Sequence, residues 1–304
     1  MKSISSYVIE QMVRLLPTKG FKVSHAMYVN RMNARLNAGE KPYKLRYPLF
    51  TVPVIKRQIH GMDYYILNSG EHRNSNKAMY FHGGAFINQP FPFHWKLLNK
   101  VAKETGMELW VPIYPKIPFH DAAYAYEELF KLYEVFVKTV EGKIIFMGDS
   151  AGGGIVLGLA QIIRDRGLLM QPKELIMISP WLDVSMSLPE ISKLEAKDPM
   201  LGEESLRVCG IYWAGKQDKY AAMVSPLYGN INLLGNITLF TGTNDILNAD
   251  ARAFYKKVTE QNIVIDYVEK EELGHVYPLL PIKEAKDAVN KIIQICISPV
   301  KKRG

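Results

Sequence analysis

Short apolar runs alternate with longer segments of helical periodicity along most of this chain. The runs that predict strands cover residues 52–59, 62–67, 77–82, 107–113, 143–148, 174–179, 237–241 and 263–269. The segments with apolar residues every three to four positions predict helices at 93–105, 121–140, 151–166, 248–261 and 281–297. Strands that alternate with helices indicate a mostly parallel sheet covered by helices on both faces. His60 and Gly61 join the first two strands and predict an antiparallel hairpin at the sheet edge.

Two segments lie outside this alternation. Residues 1–48 contain an amphipathic stretch and then a basic, proline-punctuated connection. Both charge signs accompany the few apolar positions, so we expect this stretch to pack on the protein rather than to anchor it in a membrane interface. Residues 183–224 lie between two core strands and contain one predicted helix, 203–213. The apolar positions of the first stretch are Ile4, Val8, Met12, Leu15 and Leu16.

The composition fits one sizeable domain. A chain of 304 residues, 48% of them hydrophobic, can bury a large core without dividing into two domains. No apolar run approaches the ~18 residues that a membrane span requires, and the N-terminus lacks a signal-peptide pattern. The two cysteines, Cys209 and Cys296, make no disulfide framework. We therefore expect a cytoplasmic protein without stable membrane insertion.

A net charge of +8 raises the question of nucleic-acid binding. The positive residues are scattered, apart from a loose cluster at 41–57 and the run at 301–303, and no nucleic-acid motif accompanies them. A solvated surface explains the charge better, so we expect no nucleic-acid partner. No His-x-x-x-His or Cys-x-x-Cys spacing occurs, and we expect neither a metal nor another cofactor. The formation of a homo-oligomer stays open.

A nucleophile motif follows the strand predicted at 143–148. Gly-x-Ser-x-Gly occupies residues 148–152, with the serine at Ser150, and a helical pattern begins directly after it. In this setting the serine lies on a strained turn between strand and helix, and the glycines let neighbouring backbone pass closely. The helix N-terminus presents free N–H groups, among which the N–H of Ala151 is a candidate oxyanion donor. The pattern predicts that Ser150 is a nucleophile.

A second glycine motif follows the strand predicted at 77–82. The residues His-Gly-Gly-Ala-Phe at 82–86 would form an ordinary turn if they stood alone. They precede the nucleophile motif, however, which is the position of the oxyanion loop in hydrolases with a nucleophile elbow. Glycines there let backbone N–H groups face a substrate oxygen. We expect the N–H groups of Gly83, Gly84 and Ala151 to form the oxyanion hole.

Together the two motifs resemble the hormone-sensitive-lipase family of α/β-hydrolases, in its microbial acetyl esterase and carboxylesterase type. The likeness runs from about residue 50 to the C-terminus and includes SPWLD at 179–183, SPLYG at 225–229, GTNDIL at 242–247 and GH at 274–275. Ala85 departs from the third glycine usual in the family, and residues 114–120 match the family's loop after the fourth strand only weakly. The resemblance implies one α/β-hydrolase domain over 1–304. A helical cap would come from about 1–48 and 183–224.

The order of the triad in this fold identifies the base. The acid and then the histidine follow the nucleophile along the chain. Of the seven histidines only His275 lies beyond Ser150, so the order leaves no other choice. We expect His275 to act as the general base.

The same order predicts the acid. Asp245 follows the strand predicted at 237–241 after a short turn, where it can accept the second imidazole N–H and stabilise the imidazolium. Asp250 competes, but it falls in the first turn of the next helix, where acidic residues commonly complement the helix dipole. Asp183 and Asp198 come before the penultimate strand and fit the order less well. We expect Asp245 to be the acid.

These features predict a serine carboxylesterase that hydrolyses small-molecule esters of short acyl groups, acetyl to butyryl, through an acyl-enzyme. Bulky residues near the active-site motifs and the cap insertion are candidate substrate-binding residues, namely Phe86, Trp181, Tyr212 and Trp213. Two alternatives stay open. The same triad can cleave amides or peptides, and some members of the resembling family act as non-catalytic ligand receptors after losing the histidine.

Overall fold

The computed structural model describes residues 2–15, 22–45, 50–70, 74–167 and 169–299. Leu16 and other parts of the expected cap lie outside the described residues, as do the basic residues at 301–303. The strands are β1 Val54–Ile59, β2 Met62–Leu67, β3 Lys77–Phe81, β4 Glu108–Pro112, β5 Ile144–Asp149, β6 Glu174–Ile178, β7 Asn236–Gly242 and β8 Ile265–Lys270. The helices are α1 Ile4–Leu15, α2 His25–Ala38, α3 Pro92–Thr105, α4 Ala122–Val137, α5 Ala151–Arg166, α6 Ile191–Glu195, α7 Glu203–Ala214, α8 Asn248–Glu260 and α9 Ala285–Ile297.

The eight strands form a single sheet in the order β1-β2-β4-β3-β5-β6-β7-β8. β1 pairs antiparallel with β2, and β2 antiparallel with β4, whereas the pairs from β4 through β8 are parallel. The hairpin turn has positive φ at both central residues, 46° at His60 and 85° at Gly61, which suits the twist of an antiparallel pair. The predicted mostly parallel sheet with an antiparallel edge is confirmed.

Alternating side chains of the central strands supply two apolar cores. Phe146 of β5 belongs to the core that includes residues of α4, α5 and α8, while its neighbours Ile145 and Met147 belong to the core that includes residues of α3 and α9. β3, β5 and β6 are buried along their whole length, as expected for parallel strands covered on both faces. The carboxyl ends of these strands lie at one edge, where the candidate site is found.

The segments outside the alternation form α1 and α2 before the sheet and α6 and α7 within the 183–224 insertion. The sequence pattern missed α2 because its residues are mostly polar, and only Tyr28 and Met32 are buried. Ser24 caps this helix by accepting a hydrogen bond from Met27 N. α2 contacts α7, and the Tyr28 hydroxyl lies 3.4 Å from Cys209 Sγ. None of the described helices has both the length and the apolar character needed to cross a bilayer.

Candidate active site

Ser150 lies on a strained turn between β5 and α5. Its backbone angles are φ 53° and ψ −123°, in the left-handed half of conformational space that residues with a Cβ rarely occupy. Ser150 N donates to the Ile178 carbonyl at 2.8 Å, and its own carbonyl accepts from Trp181 N at 2.9 Å. A Cβ at Gly152 would lie 1.9 Å from the Phe81 carbonyl oxygen, so the turn requires glycine there. The predicted strand-turn-helix setting of the motif is present.

His275 pairs with Asp245. The Nδ1 atom of His275 lies 3.0 Å and 3.1 Å from the two carboxylate oxygens of Asp245, and both side chains are buried. Asp245 follows β7 and also accepts a hydrogen bond from Leu247 N at 2.9 Å, which fixes the carboxylate. A donor at Nδ1 leaves Nε2 as the acceptor of the neutral imidazole. This is the tautomer that a general base requires.

The competing acid is engaged elsewhere. Asp250 lies in the first turn of α8, and its Oδ2 accepts from Leu182 N at 2.7 Å and Asp183 N at 2.8 Å. Burial raises the pKa of Asp250 well above its ordinary value. Asp250 therefore holds the chain after β6, and Asp245 is the aspartate hydrogen-bonded to His275.

One cavity brings the predicted nucleophile and base together. Ser150 and His275 both line it, with the loop residues Gly84 and Ala85. Its empty volume is about 410 Å³, part of it open to solvent. The apolar side chains of its wall are Phe91, Phe93, Met200, Leu201, Leu206 and Val276.

The N–H of Gly83 has a different role from the one expected. It donates to Asp149 Oδ1 at 2.9 Å, so it is already occupied by a carboxylate. The expectation that Gly83 is an oxyanion donor is therefore corrected. The loop turns through three successive residues with positive φ, 119° at Gly84, 53° at Ala85 and 59° at Phe86. A first-turn N–H such as that of Ala151 has no partner within its own helix.

Asp149 and His94 form a buried hydrogen-bonded pair that the sequence analysis missed. His94 Nδ1 accepts from Phe91 N at 2.8 Å, so its Nε2 carries the proton and donates to Asp149 Oδ2 at 3.2 Å. The Tyr80 hydroxyl donates to Asp149 Oδ1 at 2.5 Å. Burial alone would raise the pKa of Asp149, but His94 and the hydrogen bonds from Tyr80 and Gly83 outweigh it and lower that pKa.

The four residues expected to bind substrate do not line the cavity around Ser150. Phe86 stacks on Trp213 with ring centroids 3.8 Å apart and on Trp181 at 5.4 Å, and all three rings are fully buried. Tyr212 is half-buried and packs against the same core. The aromatic residues therefore stabilise the base of the loop after β3, and the aliphatic and phenylalanine side chains named above form the wall.

Ser179 and Asp198, which were not predicted as site residues, bond to the backbone next to His275 and Asp245. Ser179 Oγ accepts from Val276 N at 3.0 Å and so fixes the loop that carries His275. Asp198 is buried and accepts from Ile246 N at 2.9 Å, one residue beyond Asp245. Burial and the nearby Asp245 raise the pKa of Asp198 to about 6. The sequence analysis considered Asp198 only as a competitor for the acid and did not predict this supporting role.

The electrostatics of the site stabilise the protonated form of His275. Burial alone would lower the pKa of His275, but the Asp245 carboxylate raises it, with smaller contributions from Asp198 and Asp149. The net result is a pKa above the ordinary value of histidine. His275 can therefore accept a proton and hold it as an imidazolium in the cavity that it shares with Ser150.

Comparison with known proteins agrees with the observed fold. The family model for the alpha/beta hydrolase fold matches residues 78–279. A Mycobacterium tuberculosis protein proposed to be an acetyl-hydrolase is 28% identical over 71% of this chain and 70% of its own. The crystal structure of a Staphylococcus aureus protein proposed to be an esterase superposes with a TM-score of 0.87 at 26% identity, over 94% of this chain and 98% of its own.

A further solved structure, a hormone-sensitive lipase from a metagenome library, has a TM-score of 0.82 at 21% identity and covers 98% of this chain and 99% of its own. At 21% identity this similarity is evidence for the fold alone. The chain belongs to the α/β-hydrolase fold family, as the resemblance of its motifs implied.

Proposed function

We propose that this protein is a serine carboxylesterase that hydrolyses esters of short acyl groups, acetyl to butyryl. The observation that carries the proposal is the pairing of His275 Nδ1 with Asp245 at 3.0 Å, in a cavity that His275 shares with Ser150. Ser150 lies on the strained turn typical of a nucleophile. Membership of the α/β-hydrolase family and similarity to proteins named as an acetyl-hydrolase and an esterase support the same activity.

In the proposed reaction, Ser150 Oγ attacks the ester carbonyl while His275 Nε2 takes its proton. Asp245 keeps the imidazole in the required tautomer and stabilises the imidazolium. His275 then gives the proton to the leaving alkoxide, which departs as the alcohol and leaves the acyl group on Ser150. Water repeats the attack on the acyl-enzyme with the same base, and the carboxylic acid is released.

The proposed oxyanion donors are the N–H groups of Gly84, Ala85 and Ala151. Gly84 and Ala85 line the cavity with Ser150, and Ala151 is the first residue of α5. Gly83 is left out because its N–H donates to Asp149. Donors fixed before the reaction stabilise the tetrahedral intermediate at no cost of reorganisation, and each is typically worth about 3 kcal/mol.

The preference for short acyl groups follows from the wall of the cavity. Met200, Leu201 and Leu206 come from the 183–224 insertion and enclose Ser150 together with Phe91 and Phe93. Each methylene accommodated gains only ~0.8 kcal/mol, so a steric wall outweighs that gain for a long chain. We assign this insertion, with α1 and α2, as the cap of a single catalytic domain.

The test is a substrate panel with a matched variant. p-Nitrophenyl esters from two to sixteen carbons and acyl anilides of the same acids are compared with wild-type protein and with Ser150→Ala. We expect kcat/KM to be highest for acetate and butyrate, negligible for the anilides and lost in the variant. A maximum at ten or more carbons would refute the short-acyl proposal, and faster cleavage of the anilides would indicate an amidase.

A further inference from the structure

Helix α1 exposes apolar side chains on its outer side, whereas an ordinary surface helix exposes polar ones. Among its described side chains the exposed ones are Ile4 at 85%, Tyr7 at 55%, Val8 at 42% and Met12 at 56%. Their spacing of three to four residues puts them on one side of the helix. Such a surface marks an interaction site.

Polar contacts fix this orientation. Ser3 N and Ser3 Oγ donate to the Glu284 carboxylate at 2.6 Å and 2.8 Å, and Ser6 Oγ donates to it at 2.6 Å. Lys2 and Glu10 pair with each other beside it. These bonds to Glu284 hold one side of the N-terminal segment against the body of the protein, so Ile4, Tyr7, Val8 and Met12 face outward.

An open apolar groove lies next to α1. It is lined by apolar residues of α3, α9 and the chain before α9, with an empty volume of about 990 Å³ that includes its open part. Leu280 and Ile282 line this groove and also the small cavity beneath Ile9 and Val13 of α1. The groove therefore adjoins the cavity beneath α1, whose outer side carries the exposed apolar residues.

The polar side chains of the groove are all cations. Lys96, Lys100 and Lys286 line it, without any acidic residue, and none of the three forms an ion pair in the described part of the chain. All three lysines are exposed. The combination of an apolar floor with a cationic rim matches an amphiphile with an anionic head group.

We propose that this docking face, made of Ile4, Tyr7, Val8 and Met12 together with the groove and its three lysines, binds the surface of an anionic lipid bilayer. Apolar side chains enter the boundary between head groups and acyl chains, and the lysines contact the anionic head groups. A net charge of +8 adds a favourable long-range attraction. Docking is peripheral and requires no membrane-spanning helix.

A second copy of the chain fits this face less well. In a symmetric dimer the same face meets itself, so Lys96, Lys100 and Lys286 would approach like charges. An anionic lipid surface neutralises them. Phe93 lines both the groove and the cavity of Ser150, so docking would bring a lipid phase close to the candidate active site.

The test is flotation of the full-length protein with vesicles of phosphatidylcholine, alone or with about one third phosphatidylglycerol. We expect binding to the anionic vesicles only, weakened when salt rises from about 0.1 M to about 1 M. The triple variant Lys96→Glu, Lys100→Glu and Lys286→Glu should reduce the bound fraction at least about 10-fold. Thermal unfolding checks that each variant is folded.

Two matched controls make the test specific. The exposed lysines Lys138, Lys173 and Lys256, changed to Glu, give the same net charge away from the docking face and should retain binding. Tyr7→Ser with Met12→Ser should weaken binding, whereas Leu233→Ser with Val264→Ser, at exposed positions elsewhere, should not. Equal losses in both triple variants, or no binding by the wild type, would overturn the proposal.

Sedimentation velocity covers the remaining outcome. A dimer that forms in solution and dissociates on Met12→Asp would assign the face to a second copy and overturn the lipid proposal. The vesicle assay does not depend on catalysis. Failure of docking and failure of the proposed hydrolase activity are therefore distinguishable.

Discussion

The Asp149 carboxylate accepts a hydrogen bond from the Gly83 N–H at 2.9 Å and so ties the loop after β3 to the residue before Ser150. The contact is close enough that a Cβ at Gly83 would lie 2.2 Å from Asp149 Oδ2. The Tyr80 hydroxyl donates to the same oxygen of Asp149 as Gly83 N does, and His94 Nε2 donates to the other oxygen. The proposed oxyanion donors Gly84 and Ala85 directly follow this anchor, so their position depends on a buried side chain.

Removing the anchor should slow the chemical step. We expect Asp149→Ala to lower kcat roughly 10- to 100-fold with little change in KM, because the donors stabilise the transition state more than bound substrate. Tyr80→Phe is the control, since it removes one hydrogen bond to Asp149 and leaves the bond to Gly83. The two constants are measured with p-nitrophenyl butyrate. If Asp149→Ala kept the wild-type kcat, Asp149 would not be needed to position the proposed oxyanion donors.

Substitution by asparagine should lower kcat far more at Asp245 than at Asp250. We expect Asp245→Asn to reduce kcat about 10⁴-fold, because asparagine favours the wrong tautomer of His275. Asp250→Asn should be mild. Asp250 Oδ2 accepts both backbone hydrogen bonds, while Oδ1 has no partner among the described residues, so an amide can keep both bonds.

The measurement is kcat for both variants, with thermal unfolding as a check on folding. A larger loss in Asp250→Asn would show that the acid has been assigned to the wrong residue.

The pH dependence of kcat/KM should report His275. The base acts in its neutral form, and its pKa is raised, so activity should fall on the acid side with a midpoint above ~6.5. Asp198 contributes to raising that pKa, so Asp198→Asn should move the midpoint to lower pH. Asp165→Asn, on the exposed surface at the far end of α5, is the control and should leave the midpoint unchanged. A profile flat down to about pH 4 would exclude His275 as the base.

The wall of the cavity should set the acyl-chain length. Leu206 is buried and lines the cavity from α7. We expect Leu206→Ala to move the optimum of the p-nitrophenyl ester series towards longer acyl groups, because it removes part of the steric wall. Leu194→Ala is the control, since Leu194 is buried in α6 but does not line the cavity. The same shift in both variants would point to general loosening of the insertion.

The order of the triad residues along the chain was enough to predict the pairing of His275 with Asp245. The strand, turn and helix around Ser150 are written in consecutive residues, and the triad order then leaves His275 and favours Asp245. The structure agrees in pairing these two side chains at 3.0 Å. Such local patterns can be predicted because a strand and a helix each impose their own spacing of apolar residues on the sequence.

The sequence patterns did not predict contacts between segments that are distant along the chain. Gly83 was expected to bind an oxyanion because nothing in its neighbourhood reveals Asp149, which approaches only when β3 and β5 pair. Trp213 was expected in the substrate pocket because bulky residues suit such a site, but it is buried against Phe86 at 3.8 Å. α2 escaped because a mostly polar helix leaves little apolar periodicity.

Covalent labelling is the sharpest test of whether Ser150 is a nucleophile activated by His275. The protein is treated with a fluorophosphonate, and the adduct is located by intact mass and peptide mapping. We expect one adduct, on Ser150, that is absent in Ser150→Ala and forms orders of magnitude more slowly in His275→Ala. No adduct on the wild-type protein, or an adduct on another residue, would contradict this role of Ser150.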